Sequence, residues 1–220
     1  MENNRYIHRF FQIKIRHVNC WTSMVPDTYR DLLLGYFYSD NILKVIRISK
    51  YLKKNDTKLL KTSIKRDHYV KNINIYNMDN ISSVVEMNVN YENTFLDKLI
   101  KKSIFPLKSN VSNNYENYIF TVEEDKIREL LLNLNENIEI ITIKELEYPE
   151  VISELSQSLV DIFLTEKQRD ILKLAINNNF FRIPRGASNR LLAQQMNISK
   201  MAFNVEIRKT VNKIINKMYD

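Results

Sequence analysis

Glycine, proline and cysteine are all scarce in this chain of 220 residues, which contains two glycines, four prolines and one cysteine. Two glycines exclude a collagen-like segment, a glycine-rich linker and a glycine-rich phosphate-binding loop. A single cysteine excludes an internal disulfide framework and favours a reducing setting. The sequence also lacks an apolar run of the roughly 18–20 residues that span a membrane, and it lacks a signal-peptide core. We therefore expect a cytoplasmic protein that does not associate with membranes.

Charge is unevenly distributed along the chain, although hydrophobic (44%) and charged (27%) residues occur in the proportions of a folded protein. Residues 1–115 carry 19 basic and 10 acidic side chains, a net charge of +9. Residues 116–163 carry 3 and 12, a net charge of −9, and residues 164–220 carry 11 and 4, a net charge of +7. A compact basic module behind an acidic segment is typical of a nucleic-acid-binding domain, and the alternative interpretation of the charge is a solvated basic surface without a binding role.

Short strands and helices alternate in the first two thirds of the sequence. Phe11, Ile13 and Ile15 alternate with polar residues, which predicts a half-buried strand. Similar patterns predict strands over 43–51, 70–76, 81–89, 118–122 and 138–146. Helices are predicted after Asp27 and over 56–64, 95–100 and 123–134, and a polar loop over 109–117. The alternation predicts an α+β fold, with one ferredoxin-like (split βαβ) sandwich or two in tandem.

Capping signals divide residues 164–220 into three helices. Thr165 and Gln168 form a capping-box pattern, and Ser188 and Ser199 are placed to cap the second and third helices. Phe180, Phe181 and Ile183 are predicted to form an apolar clip between the first and second helices, before Pro184. Ile171, Leu172, Ala175 and Ile176 are predicted to face inward on the first helix, and Phe203, Ile207, Val211 (or Thr210) and Ile214 on the third.

The turn between the second and third helices predicts a helix-turn-helix. Ala193 is small enough to let two helices approach closely, and Asn197 occupies a turn position that requires a left-handed backbone, which asparagine tolerates. Two helices joined by so short a turn are typical of a DNA-binding helix-turn-helix.

The segment LTEKQRDILKLAINNNFFRIPRGASNRLLAQQMNISKMAFNVEIRKTVNKI resembles the archaeal bacterio-opsin-activator type of helix-turn-helix. The matching positions are Leu164, Thr165, Gln168, Leu172, Ala175, Phe180, Phe181, Pro184, Arg185, Leu192, Ala193, Ile198, Ser199, Ile207, Arg208, Lys213 and Ile214. The departures are Asn179 and Asn197 where glycine is usual, Glu206 where histidine is common and Thr210 where alanine is common. More loosely, the amino-terminal part is similar to the small α+β domains attached to this helix-turn-helix in archaeal regulators. The resemblance implies a DNA-binding transcription regulator of archaeal type.

We therefore expect three parts: an α+β domain for sensing or dimerisation over 1–148, a linker helix over 149–163, and a helix-turn-helix domain over 164–220. The third helix of the last part is expected to enter the major groove of double-stranded DNA. The side chains predicted to meet base edges are Ser199, Lys200, Met201, Asn204 and Val205, and Asn204 is suited to pair with an adenine. The side chains predicted to contact phosphates are Arg185, Arg190, Arg208 and Lys209.

A single small module rarely binds DNA tightly, so we expect a homodimer with two half-sites about one helical turn apart. His17, Cys20 and Trp21 form a candidate patch for an unknown small-molecule effector. The alternative is that His17 and Cys20 end a strand and pack beside Trp21. The two have the spacing of a metal-ligand pair, but the sequence offers no second pair for a closed zinc site, so we predict no metal and no cofactor.

The sequence contains no defensible catalytic motif, so we predict no enzyme. Two other functions stay open. One is an RNA-binding accessory protein with a sheet platform, for which Tyr118 and Phe120 are the candidate stacking residues. The other is a protein-interaction adaptor with a degenerate helix-turn-helix.

Overall fold

The computed structural model of the protein describes residues 8–25, 29–39, 42–50, 56–67, 69–77, 82–90, 94–134 and 136–219. The chain divides into two compact units, Met1–Ser156 and Gln157–Asp220, and the division lies inside helix α4 (Tyr148–Phe163). The domain boundaries expected at residues 148 and 163 stay predictions. None of the helices among the described residues is both long and apolar enough to span a membrane.

The amino-terminal unit is an α+β structure built on one sheet, which confirms the predicted class. Its strands are β1 (His8–His17), β2 (Arg30–Ser39), β3 (Ile42–Lys50), β4 (Val70–Asn77), β5 (Ser82–Asn90), β6 (Phe105–Ser112), β7 (Tyr115–Glu123) and β8 (Ile138–Leu146). Its helices are α1 (Asp56–Lys65), α2 (Phe95–Lys101), α3 (Glu124–Leu132) and the first half of α4, with a short 3-10 helix at Trp21–Ser23. The eight strands are antiparallel and lie in the order β4-β5-β3-β2-β6-β7-β1-β8.

This strand order consists of two equivalent halves, β4-β5-β3-β2 and β6-β7-β1-β8, that meet where β2 lies beside β6. The chain passes twice through the order strand, helix, strand, strand, helix, strand, first from β1 to β4 and then from β5 to β8. The first strand of each passage lies in the other half of the sheet: β5 pairs with β3 and β4, and β1 with β7 and β8. The structure has one large eight-stranded sheet, whereas we expected one or two small sandwiches. The ferredoxin-like topology therefore stays a prediction.

Two predictions of local structure are wrong. The helix predicted after Asp27 is strand β2, since residues 30–39 pair with β3 along their whole length; Asp27 itself lies outside the described residues. The loop predicted over 109–117 is a hairpin, with β6 and β7 joined at Asn113 and Asn114. Both asparagines have positive φ, 51° and 62°, as the tightest hairpin turns require.

One face of the sheet carries the main core, because helices α1, α2 and α3 pack on it. Leu60 and Ile64 of α1, Phe95, Leu96 and Leu99 of α2, and Ile127 and Leu130 of α3 join one buried cluster. Tyr118 and Phe120 belong to this cluster and are 3% and 0% exposed. They are therefore not available to stack on bases, which removes the aromatic platform on which the RNA-binding alternative rested. On the opposite face, Val151 and Leu155 of α4 pack against Ile119 and Leu146.

The seam between the two halves of the sheet is bridged by side chains rather than by a continuous ladder. Strands β2 and β6 share only the pair Arg30 and Ser112. Beside it, the backbone N–H of Val111 in β6 donates to Oδ1 of Asp31 in β2 at 2.7 Å. Arg47 of β3 binds the same carboxylate with Nε at 2.5 Å and Nη2 at 3.0 Å.

The Asp31–Arg47 pair is buried, with 4% and 5% of the residues exposed. Burial alone lowers the pKa of Arg47, but the carboxylate of Asp31 outweighs this effect and raises it. The guanidinium also donates to Oγ of Ser109 in β6 at 3.3 Å, and the Tyr29 hydroxyl donates to Asp31 at 3.0 Å. The hydrogen bonds satisfy both charged groups, as burial of an ion pair requires. They also join β2 and β3 of one half of the sheet to β6 of the other half.

We predict that Asp31→Asn lowers the free energy of unfolding of this unit by about 3–5 kcal/mol, because it leaves the buried guanidinium of Arg47 without a counter-charge. Trp21 is the only tryptophan of the chain and lies in this core, so its fluorescence during urea denaturation reports the change. The control is Arg16→Met, which removes an exposed ion pair with Glu139 and is expected to cost about 0–1 kcal/mol. Equal losses for the two variants would contradict the role given to the seam.

The carboxy-terminal unit is helical. After the end of α4 it contains α5 (Glu166–Asn177), α6 (Asn189–Gln195) and α7 (Lys200–Tyr219). Its separate core contains Ile171, Ala175, Phe180, Ala187, Leu192, Ala193, Phe203 and Ile207. The three predicted helices are therefore confirmed.

Candidate nucleic-acid interface

Local hydrogen bonds begin each of the three helices at the predicted residue. Thr165 and Gln168 form the complete capping box, with Gln168 N donating to Thr165 Oγ1 at 3.2 Å. Ser188 accepts from Leu191 N at 3.2 Å, and Ser199 accepts from Ala202 N at 3.1 Å. These bonds satisfy amides that the first turn of a helix leaves free, so they fix where α5, α6 and α7 begin.

Left-handed residues end two of these helices. Asn179 after α5 has φ 53°, and Asn197 between α6 and α7 has φ 52°. These are the two positions at which the resemblance expects glycine. Asparagine is one of the few residues that adopt this conformation routinely, so the turn survives the substitution. The backbone N–H of Ile198 then donates to the carbonyl of Ala193 at 3.0 Å and closes the turn.

Phe180 is the centre of the carboxy-terminal core. Its ring packs edge-to-face against that of Phe203 at a centroid distance of 5.8 Å. Of its two apolar neighbours in the sequence, Phe181 is half exposed and Ile183 is fully exposed, so the prediction of a three-residue apolar clip is wrong for both. Ile176 is exposed, contrary to its predicted inward position, and Thr210 rather than Val211 is fully buried on α7.

The loop before α6 is held close to the end of α5 at Gly186. Its N–H donates to the carbonyl of Asn179 at 3.0 Å, and a Cβ at position 186 would lie 2.7 Å from the carbonyl oxygen of Asn178. Only glycine fits this approach without a shift of the backbone. The close approach fixes the loop that carries Arg185.

The side chains predicted to read bases lie on the outer side of the first half of α7. Met201 and Val205 are exposed, 79% and 44%, and Asn204 is partly buried. Lys200 is exposed at the first residue of the helix, and Ser199 precedes it as the cap. The helical spacing of Met201, Asn204 and Val205 places them on the same face, away from buried Phe203 and Ile207.

A concave surface of about 620 Å³ lies between α7 and the segment from Phe180 to Asn189. Five of the nine predicted DNA contacts line it: Arg185, Met201, Asn204, Val205 and Arg208. Ser199, Lys200, Arg190 and Lys209 do not, although Lys200, Arg190 and Lys209 are exposed elsewhere on α6 and α7. The surface therefore combines two guanidinium groups with amide and apolar side chains, a combination suited to phosphates and base edges.

Asn212 and Asn189 line this surface, although neither is among the contacts predicted from the sequence. Asn189 contacts two of the predicted residues. Its Nδ2 donates to Oδ1 of Asn204, and its Oδ1 accepts from Nη1 of Arg185 at 3.5 Å. Because Oδ1 of Asn204 has two lone pairs, the bond orients the amide and leaves one lone pair for a ligand. The sequence does indicate that Asn189 is the first residue of α6, directly after the cap Ser188, and that it does not belong to the inward-facing stripe of that helix.

Arg185 is oriented by an aromatic ring as well as by Asn189. The guanidinium carbon lies 4.9 Å from the centroid of Phe180, within the range of a cation–π contact. Lys209, in contrast, has only a distant ion pair with Glu206 at 4.0 Å, and its side chain is 65% exposed. Arg185 is therefore pre-positioned by two contacts, whereas Lys209 is an exposed charge with a long ion pair.

The predicted effector patch lies in the amino-terminal unit and is buried. His17, Cys20 and Trp21 are 4%, 6% and 6% exposed, and all three line a small cavity of about 50 Å³. The structure brings a fourth side chain to them, because Nδ1 of His17 lies 3.6 Å from Oε1 of Glu116. Burial raises the pKa of the Cys20 thiol, which is thus held in its neutral form.

Burial and pairing act in opposite directions on the other two groups. Burial lowers the pKa of His17, but the hydrogen bond and charge of Glu116 outweigh it and the net shift is upward. Burial raises the pKa of Glu116, but the contacts with His17, Tyr118 and Thr22 outweigh it and the net shift is downward. Both shifts favour an imidazolium paired with a carboxylate.

Comparison with known proteins identifies the carboxy-terminal unit. Residues 164–216 match the family model HTH_10, described as an HTH DNA binding domain, and this confirms the resemblance to the bacterio-opsin-activator type. A comparison of the whole chain with curated proteins finds no match. The helix boundaries, the left-handed turn and the family match agree: residues 164–216 are similar to the helix-turn-helix DNA-binding domain that the HTH_10 model describes.

Proposed function

We propose that the protein is a sequence-specific transcription regulator of archaeal type that reads the major groove of DNA with the first half of α7. The observation that carries this proposal is the concave surface of the helix-turn-helix. There, Asn204 and Met201 line the same surface as Arg185 and Arg208, so that base-reading groups and groups suited to phosphates are combined in one place. The net charge of +7 on residues 164–220 supplies the sequence-independent attraction to DNA.

The roles within this surface follow from burial and bonding. Asn204 is held by Asn189, so its amide is presented to a base at low entropic cost, and adenine is the base whose edge matches an amide. Met201 and Val205 are exposed apolar groups suited to a thymine methyl group. Arg185 and Arg208, with Arg190 and Lys209 further out, are assigned to phosphates, and Ser199 and Lys200 to the groove at the start of α7.

We infer that the amino-terminal unit is built from two ferredoxin-like repeats that exchange their first strands. The repeated element order and the matching strand orders of the two halves support this reading. Each half then has the order of a split βαβ sheet, with an inner strand contributed by the other repeat. An exchange of this kind ties the two halves into one unit suited to effector sensing or dimerisation.

The uneven charge of the sequence gives little support to a dimer, because described acidic and basic residues of the amino-terminal unit pair within it. These pairs include Arg9–Glu145, Arg16–Glu139 and Lys108–Glu154. Exposed apolar side chains on strands β2 and β6 support a dimer better. Leu34, Phe37 and Phe105 are 56%, 67% and 61% exposed. Large apolar side chains exposed on neighbouring strands are typical of a surface that binds another protein, whereas single exposed apolar residues are normal on a monomer.

The salt dependence of DNA binding tests the phosphate contacts. We predict that replacing Arg208 and Lys209 with alanine lowers the slope of log affinity against log salt by up to about 1.8, since each phosphate contact contributes about 0.9. The loss of affinity is expected to be similar for all sequences. The control replaces Lys173 and Lys217, which carry the same charge but lie on α5 and in the last turn of α7, away from the first half of α7. Equal slopes for the two double variants would contradict the assignment.

Sequence selection from random duplex DNA tests the base contacts. We predict that Asn204→Ala loses discrimination at one or two base pairs, by about 1–3 kcal/mol, because a bidentate contact to one base is lost. Asn216→Ala is the matched control, since Asn216 is an exposed asparagine of the same helix that does not line the concave surface. A folded Asn204→Ala variant that keeps the sequence preference of the wild type would show that α7 presents a different face.

Sedimentation of the full chain and of residues 157–220 tests the dimer. We predict that the full chain is a homodimer and that the fragment, which has its own core, is a monomer that binds DNA much more weakly. The affinity of the dimer is higher because the second half-site binds at a high effective concentration. A monomeric full chain that binds no more tightly than the fragment would contradict dimerisation and leave effector sensing as the role of the amino-terminal unit.

A further inference from the structure

Three different metal-binding groups meet in the interior of the amino-terminal unit. His17 ends strand β1, Cys20 lies in the following turn, and Glu116 lies on strand β7. All three are buried, and one ligand atom from each lies within 4.8 Å of the others. We propose that His17, Cys20 and Glu116 bind one divalent cation of the zinc type.

The donor set matches such a cation in both type and charge. Imidazole nitrogen, thiolate sulfur and carboxylate oxygen are the three kinds of ligand that zinc accepts in proteins, and a thiolate disfavours magnesium and calcium. A thiolate and a carboxylate together carry the two negative charges that a divalent cation neutralises. The bound state is therefore electrically balanced in a buried place. Its formation releases the thiol proton of Cys20 and, where His17 is an imidazolium, one imidazolium proton to solvent.

The distances are close to those that coordination requires. Zinc bonds of roughly 2.0–2.3 Å in a tetrahedron place the ligand atoms roughly 3.3–3.8 Å apart. Nδ1 of His17 and Oε1 of Glu116 already lie 3.6 Å apart. The remaining separations, at most 4.8 Å, exceed the spacing in a coordinated site by roughly 1.0–1.5 Å.

Neighbouring groups hold two of the ligands in place. The Thr22 hydroxyl donates to Oε1 of Glu116 at 3.0 Å and the Tyr118 hydroxyl to Oε2 at 2.7 Å. The turn that carries Cys20 is fixed by Trp21 N, which donates to Oδ2 of Asp67 at 2.8 Å. Metal ligands are commonly oriented by such hydrogen bonds.

The cavity beside the cluster supplies a fourth coordination position. Its volume of about 50 Å³ exceeds the roughly 10–15 Å³ that one water molecule needs. Three protein ligands with a water molecule in the fourth position complete a tetrahedron. The site lies apart from the helix-turn-helix in sequence and does not depend on DNA binding for its existence.

Cobalt(II) is the probe that tests the proposal on the full chain, because it substitutes for zinc and has colour. Cys20 is the only cysteine, so in a thiol-free buffer any thiolate-to-cobalt absorption must come from it. We expect saturation at one equivalent of cobalt, near-ultraviolet charge-transfer absorption with visible bands of tetrahedral intensity, and bleaching of both by zinc. Absence of the charge-transfer absorption from the folded protein would overturn the proposal.

Variants separate a built site from a cysteine that binds metal alone. Cys20→Ser is expected to abolish the charge-transfer absorption, and His17→Gln and Glu116→Gln to weaken cobalt binding by about 100-fold or more, beyond the roughly 10–100-fold that loss of an orienting group such as Thr22 costs. Glu139→Gln, at an exposed carboxylate, and His8→Gln, at an exposed imidazole, are controls expected to bind as the wild type does.

Trp21 fluorescence and circular dichroism show which variants fold. If Cys20→Ser fails to fold, the two other ligand variants decide the question. Cobalt affinity unchanged in folded His17→Gln and Glu116→Gln proteins would overturn the three-ligand site, and loss in both with the controls intact would support it.

Discussion

The amino-terminal unit depends on one buried ion pair. In an antiparallel sheet, neighbouring strands are normally hydrogen-bonded along their length. Strands β2 and β6, where the two halves of this sheet meet, share only one pair of residues. Asp31 takes over the missing function, because its carboxylate accepts the Val111 amide that a neighbouring backbone would otherwise bind. A buried carboxylate requires a counter-charge, and Arg47 supplies it with two hydrogen bonds. The charged pair therefore specifies which strands meet at the centre of the sheet.

The sequence predicts strands away from the junction of β2 and β6 better than it predicts those two strands. Strands β3 and β5 were predictable, since their buried and less buried residues alternate. Strand β2 was not, because Leu34 is an extra residue in a bulge that breaks the alternation, and the apolar positions then imitate a helix. Ser109 and Asn110 read as loop residues, but Ser109 is buried where Arg47 needs an acceptor. Long-range pairing thus overrode the local pattern at the seam.

The helix-turn-helix was predictable for the opposite reason. Its caps, turn and inward stripes are fixed by residues only three or four positions apart, which a sequence displays directly. The candidate sites divide in the same way. Asn204 and Arg208 are readable from the spacing of one helix, whereas Asn189 supports Asn204 from another helix. Glu116 reaches His17 and Cys20 from a distant strand, and no spacing rule predicts such a contact.

The abundance of asparagine has a structural consequence in a chain with two glycines. Of the six described non-glycine residues with positive φ, five are asparagines and one is Ser103. They lie where other proteins commonly use glycine: Asn113 and Asn114 turn a hairpin, and Asn179 and Asn197 follow helices α5 and α6. Asparagine tolerates the left-handed region but keeps a Cβ, so it restricts the unfolded chain more than glycine does. Gly186 is a different case, because asparagine could not replace it. A Cβ at position 186 would collide with Asn178 and Asn179, and this lack of space, not the backbone angle, requires glycine.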